Sequence, residues 1–134
     1  MGAVAYRLNP EIAYAELDSL HAAAWPNHVP LRDFGSELER SLVYVAAYAD
    51  QRLIGFVRVA WDGGIHGFLL DPTVHPDYRR RGIGQRLVET AIAAARERRI
   101  RWIHVDFPPD LRPFYAACGF APTEAGLVDL FRTD

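Results

Sequence analysis

The amino-acid sequence predicts an α/β fold on a mixed, mostly antiparallel sheet, and three observations carry that expectation. Residues 42–74 read as three consecutive strands joined by tight turns, an antiparallel meander. After residue 81 the apolar period changes from 2 to about 3.6, which marks a long amphipathic helix. A further strand follows that helix, and a strand reached through a helical crossover runs parallel to the one before it.

In chain order, Val4-Ala5-Tyr6-Arg7-Leu8 alternates briefly and gives a short first strand. Asn9-Pro10-Glu11 reads as a helix entry, with Asn9 as cap and Pro10 at the first helical position. Ile12, Leu17, Leu20 and Ala24 then form an apolar stripe that Pro26-Asn27 ends. A second helix is expected over residues 31–41, after a loop in which Pro26 and Pro30 remove backbone donors. Residues 42–49 form a strand, Asp50-Gln51-Arg52 a turn, and residues 53–61 a second strand. Asp62-Gly63-Gly64 is a hairpin signal because glycine tolerates the positive φ of tight turns, and residues 65–74 return. In the long helix Ile83, Leu87, Val88, Ala91, Ile92, Ala94 and Ala95 share one face, and Arg96, Arg98 and Arg99 suit the negative pole at its end. Residues 101–107 give the parallel strand, Pro108-Pro109 a break, residues 111–118 a short helix capped by Gly119, and residues 127–132 a last strand.

The composition narrows the function. Half of the 134 residues are apolar and 24% are charged, the balance of a globular chain of one domain's size. A formal net charge of −2, with every cation an arginine, argues against non-specific nucleic-acid binding. The lone Cys118 makes neither an internal disulfide nor a multi-thiolate metal site, and the five histidines show no ligand spacing, so no metal is expected. No stretch approaches the length of a membrane helix and no signal peptide opens the chain, so the expected location is cytoplasmic, without a membrane partner.

The informative segment is Val74-His75-Pro76-Asp77-Tyr78-Arg79-Arg80-Arg81-Gly82-Ile83-Gly84-Gln85-Arg86-Leu87. A strand stops, the chain turns through proline, and an arginine run leads into Gly-x-Gly at the mouth of the long helix. The first N–H groups of a helix lack internal partners and the dipole adds partial positive charge, so this is a cradle for a pyrophosphate. A Walker loop is excluded because the chain has no lysine, and a dinucleotide fingerprint would need glycine where Leu87 stands.

Arg79-x-x-Gly82-x-Gly84 resembles the Gln/Arg-x-x-Gly-x-Gly/Ala signature of the Gcn5-related N-acetyltransferase (GNAT) superfamily. Phe114-Tyr115-x-x-Cys118-Gly119-Phe120 resembles that family's Phe/Leu-Tyr-x-x-x-Gly-Phe, and the order of elements is similar too. The resemblance implies a single N-acetyltransferase domain over residues 1–134, with a V-shaped splay between the fourth and fifth strands and flanking helices. It implies acetyl-CoA as co-substrate, a primary amine of a small molecule or peptide as acceptor, and direct sequential transfer. Backbone groups of Arg79, Arg80, Arg81, Gly82, Ile83, Gly84 and Gln85 would hold the pyrophosphate. Main-chain groups of Thr73 and Val74 would pair with the pantetheine arm, although Pro72 offers no N–H. Tyr115 would give a proton to the leaving thiolate; a phenol ionises about 1.5 units above a thiol, which keeps that donation reasonable.

Two family positions are filled differently. The strand positions where some members carry a base are Phe68 and Leu70, with His66 a weak substitute on the same parity and Asp71 off it, so no base is assigned. Pro108 stands where many members carry an asparagine. Trp25, His28 and Phe34 are candidates to line the acceptor pocket, and Asp33 or Glu37 to attract an ammonium group; each is equally explained as core or helix surface. Cys118 reads as a small buried residue rather than a nucleophile. Two other classes stay open: a non-catalytic acyl-CoA sensor, and an arginine-rich RNA binder centred on Arg79-Arg80-Arg81. The acceptor's identity and a homodimeric state are also left open.

Overall fold

The structure, a computed structural model, describes residues 3–29 and 32–132. Five strands form one sheet in the order β1 (Val4–Leu8), β2 (Ser41–Ala49), β3 (Arg52–Trp61), β4 (His66–Val74) and β5 (Trp102–His104). The first four pair antiparallel and β5 pairs parallel to β4, as the helical crossover requires. Helices α1 (Tyr14–Ala24) and α2 (Phe34–Glu39) cover one face, and α3 (Ile83–Glu97) packs on β2, β3 and β4 from the other. Helix α4 (Arg112–Ala117) follows a short 3-10 turn, Pro109–Leu111.

The central strands are buried on both faces, which explains why β2 reads as a nearly continuous apolar run rather than an alternation. Val43, Val45, Ile54, Val57, Val59 and Leu69 join Ile83, Leu87, Val88, Ala91 and Ala95 of α3 in the larger core. Leu17, Leu20, Phe34, Ala46, Leu53 and Phe56 form the smaller core beneath α1 and α2. Helix α3 lies close to the sheet because β3 carries Gly55 beneath it: a Cβ there would stand 2.9 Å from Leu87 Cδ1 and 3.2 Å from Ala47 Cβ. The β2–β3 turn places Asp50 and Gln51 at φ 49° and 67°, the positive pair that matches hairpin twist.

Several elements differ from the sequence expectation. Asn9 does not cap α1. Its φ is 51°, it pairs both ways with Tyr44 (each N–H···O distance 2.9 Å), and so it prolongs the β1–β2 ladder; the helix begins later, at Tyr14. Helix α2 is shorter than residues 31–41; its expected start, Leu31, lies outside the described residues, and Asp33 caps it by accepting from Ser36 N–H at 3.1 Å. Strand β5 keeps only three of the seven expected residues, because beyond His104 the chain leaves β4. No strand forms over residues 127–132, where Leu127, Val128, Leu130 and Phe131 are 79–97% exposed. Apolar residues alone do not make a strand without a neighbouring strand to complete the ladder.

Leu87 is fully buried between the helix and Gly55. Leu87→Ala should therefore lower the unfolding free energy by roughly 2–5 kcal/mol in denaturant titration. A change below about 0.5 kcal/mol would contradict the packing assigned to α3.

Candidate functional site

The site lies where β4 ends. Along β4 only His66, Gly67 and Phe68 have partners on β5, so from Leu69 to Val74 this edge of the strand faces no neighbour strand among the described residues. On the other side pairing with β3 continues, but Phe56 opposes Thr73 while Arg58 opposes Leu70, which leaves one extra residue in β4. Asp71 and Pro72 together stand opposite Val57 alone. Asp71 adopts φ 57°, a conformation that Asp tolerates better than most residues, and the bulge turns the strand at the splay.

The next turns lead to the helix mouth. Residues 76–78 make a 3-10 turn in which His75 Nδ1 accepts from Asp77 N–H at 3.1 Å. Arg80 and Gly82 are both left-handed, at φ 63° and 75°, and Gly82 is the residue before α3 with no side chain capping it. A Cβ at Gly82 would meet nothing within 4 Å, and one at Gly84 would only touch Phe114 and Val74 at ordinary distances. The start of this 15-residue helix therefore carries no side-chain cap at Gly82 and has open space beside that residue, near the end of β4. These features fit a diphosphate group. The arginines divide their work: Arg79 Nη2 donates to Ala24 O at 3.2 Å, tying the loop to the end of α1, and Arg81 stacks over Tyr78 at 5.2 Å. This is not the free cationic stripe that an RNA-binding reading wants.

Tyr115 is 4% exposed, stacked on Phe107 at 4.7 Å and edge-on to Phe114 at 4.9 Å and Phe120 at 5.7 Å. Burial pushes its ionisation above the ordinary phenol value, with the neighbouring Cys118 and Asp106 adding to the rise, so the ring keeps its proton at neutral pH. Cys118 is buried too; burial and the charge of Glu89 push its thiol up to about 11, which leaves almost no thiolate at pH 7. Pro108 starts the 3-10 turn before α4, its carbonyl accepting from Leu111 N–H at 2.9 Å.

Beside Thr73 a cavity of about 460 Å³ is lined by His21, Trp25, Asn27, Val29, Arg32, Asp71 and Pro72. Of the five candidates for the acceptor pocket, Trp25 lines it and donates from Nε1 to Thr73 Oγ1 at 3.0 Å. Phe34 is core, Asp33 is the α2 cap, Glu37 is engaged by two arginines, and His28 packs behind His21. Sequence alternation sets Asp71 apart from the candidate positions; the bulge overturns that reading by bringing its carboxylate to Arg58 Nε at 2.8 Å and Arg32 Nη2 at 2.7 Å. Arg32 and Arg58 also pair with Glu37, closing a four-membered ionic ring. The missed signal was Pro72 itself, since proline inside a strand marks a bulge. His66, by contrast, bonds to His104 at 2.8 Å, in the stretch where β4 and β5 still pair and ahead of the point at which they part.

Burial raises the Asp71 pKa, but hydrogen bonds and charge from Arg58 and Arg32 outweigh it and hold the carboxyl below its ordinary value. A folded pKa below the unfolded one gives stability that is complete above the unfolded value and lost as pH falls through the folded one. Asp71→Asn should cost about 2 kcal/mol at pH 7, in the range of hydrogen bonds to charged groups, and the gap to wild type should close below about pH 4. A gap that is constant down to pH 2 would remove Asp71 from the ionic ring.

Comparison with known proteins agrees with this geometry. Residues 10–120 match the acetyltransferase (GNAT) family model. An uncharacterised N-acetyltransferase of Pyropia yezoensis is 27% identical over 128 residues, covering 92% of this chain and 73% of its own length. The chain spans less than two thirds of the next two relatives, at 61% and 58%. A GNAT family acetyltransferase of Streptococcus pneumoniae superposes with TM-score 0.77 at 23% identity, covering 98% of this chain and all of its own. The aminoglycoside N-acetyltransferase AAC(6')-Iy, solved in complex with CoA, gives 0.77 at 21% identity, with 98% and 96% coverage. With the family model spanning most of its length, the chain belongs to the GNAT acetyltransferase family.

Proposed function

We propose that this protein moves the acetyl group of acetyl-CoA to a primary amine of a small molecule or peptide by direct attack, without an acyl-enzyme. The observation that carries the proposal is the continuity between the uncapped mouth of α3 and the unpaired edge of β4. Backbone amides of residues 79–85 hold the diphosphate, and Thr73 and Val74 offer main-chain groups to the extended arm as an added strand would. Acetyl-CoA supplies the activated thioester. The C–S bond breaks as the amine nitrogen bonds the carbonyl carbon, and Tyr115, still protonated, serves the departing sulfur. The phenol is the weaker acid of the two, so its proton moves as the C–S bond opens rather than ahead of it. The high thiol pKa of Cys118 supports transfer without a cysteine intermediate. The cavity by Trp25 and Asp71 suits the acceptor, and the Asp71 carboxylate on its wall is already balanced by Arg32 and Arg58.

Thiol release from acetyl-CoA over a panel of amines tests this reading. Turnover with at least one amine is expected; tight CoA binding with no turnover would favour an acyl-CoA sensor, a reading that Phe68 and Leu70 keep alive. Gly82→Glu should weaken CoA binding at least tenfold in calorimetry while the protein stays folded. An acid suits a helix N-terminus, and the left-handed backbone costs only about 1–2 kcal/mol. Unchanged affinity would remove residue 82 from the cradle. Tyr115→Phe keeps the aromatic packing and should lower kcat about tenfold or more with little change in KM for acetyl-CoA. An unaltered kcat would take Tyr115 out of the chemistry.

A further inference from the structure

Helix α3 and strand β5 meet in a tight turn at the end of the molecule away from the diphosphate cradle. Arg98 N–H bonds to Ala94 O and Ala95 O, Arg99 N–H to Arg96 O and Ile100 N–H to Ala95 O, so the turn closes on the buried Ile100. Arg99 holds φ 64°, a left-handed position that glycine fills with less strain. The chain then meets the β3–β4 hairpin, where the N–H groups of Arg101 and Trp102 both donate to Ile65 O, at 2.9 and 3.1 Å. Turn and hairpin tip thus form one end of the fold.

Two kinds of side chain gather there. Arg96, Arg98, Arg99 and Arg101 are exposed, and among the described residues no carboxylate pairs with any of them; Arg101 only lies over the Trp102 ring, at 5.2 Å. The acids nearby in sequence are Glu97 and, at the hairpin tip, Asp62, whose Oδ1 accepts from the amides of Gly64 and His66. The negative pole of α3 offsets only about half a unit of charge, so positive charge collects here on a chain whose net charge is −2. Beside the arginines, Trp61, Ile65 and Trp102 are 41%, 48% and 52% exposed. A single exposed apolar residue is ordinary, whereas three at one tip, rimmed by cations, make an interaction surface.

We propose that this end of the molecule docks on an anionic lipid surface, with the arginines on headgroup phosphates and Trp61, Ile65 and Trp102 at the boundary between headgroups and acyl chains. The combination selects this partner over other polyanions. Guanidinium forks pair with phosphate oxygens, and indole rings settle where one edge is apolar and the other wet. A nucleic acid suits the arginines and the indoles but offers no apolar depth to Ile65. Docking on a surface needs no spanning helix, so it revises the expectation of no membrane partner, which rests on helix length and the absence of a signal peptide. The 15 residues of α3, about 22 Å of helix, separate the patch from Gly82, so a docked molecule keeps the cradle in water. The inference does not depend on the acetyltransferase reading.

Co-sedimentation with vesicles tests the proposal, with phosphatidylcholine alone in one arm and a phosphatidylcholine–phosphatidylglycerol mixture in the other. The wild-type protein should bind the anionic vesicles and not the neutral ones. Its tryptophan emission should shift to the blue on binding, and binding should weaken as salt rises. Each arginine near such a surface strengthens binding about fivefold, so Arg98→Gln combined with Arg99→Gly should weaken it at least tenfold. Glycine suits the left-handed backbone at residue 99, and circular dichroism checks that this variant is folded. Trp102→Ala should reduce both the binding and the blue shift. No binding to anionic vesicles, equal binding to both kinds, or wild-type binding by the double variant would overturn the proposal. Tighter binding to a single-stranded RNA than to anionic vesicles, lost in the same variant, would assign the patch to nucleic acid and overturn the lipid docking. If the double variant does not fold, the wild-type contrast between the two vesicles and the weaker binding expected of Ile65→Ser still decide.

Discussion

The separation of β5 from β4 after three paired residues is the constraint on which the rest of the site depends. Main-chain groups in a sheet normally find partners on both sides, and an unpaired stretch in the middle of a fold is a place for a ligand. Here the stretch begins at Leu69, just where the two strands part, and ends at Val74, eight residues before the left-handed Gly82 that opens α3. The geometry says how this chain keeps it open.

It does so with polar devices on one side and apolar ones on the other. Toward α3, Gly55 allows Leu87 to sit against the sheet, and Val74 lies near Gly84, so the helix mouth is fixed close to the strand end. Toward α1, the Asp71 bulge is gripped by Arg58 from β3 and Arg32 from the segment before α2, and Trp25 bonds Thr73. A partly buried ionic ring adds little net stability compared with a well-packed apolar cluster, but breaking it leaves charges without partners. Its contribution is to fix the bulge and one wall of the cavity together. The same arginine also contacts His21, which in turn contacts His28, so the wall and the histidine pair share a component.

The fold was legible in the sequence where local pattern and tertiary demand coincide. The meander, the amphipathic α3 and the parallel β5 all follow from apolar period and turn residues, and the loop at residues 79–85 stands out for its glycines. The site was legible only in part. Backbone cradles leave glycine signatures, whereas the pairs His21–His28 and Arg32–Asp71 join residues 7 and 39 apart, in elements whose relative placement no local pattern encodes. Asn9 looks like a helix cap because the same side chain that caps a helix also completes a strand ladder. Residues 127–132 show the converse failure: a strand pattern whose ladder partner is missing.

The central claim is that a diphosphate rests on the amides at the mouth of α3 while the adjoining arm follows the free edge of β4. Amide chemical-shift mapping on titration with CoA tests it most directly. The largest shifts should fall on residues 79–85 and on Thr73 and Val74, and adenosine alone should fail to reproduce them. Shifts confined to other surfaces, with the amides of residues 82–85 unmoved at saturation, would contradict the account.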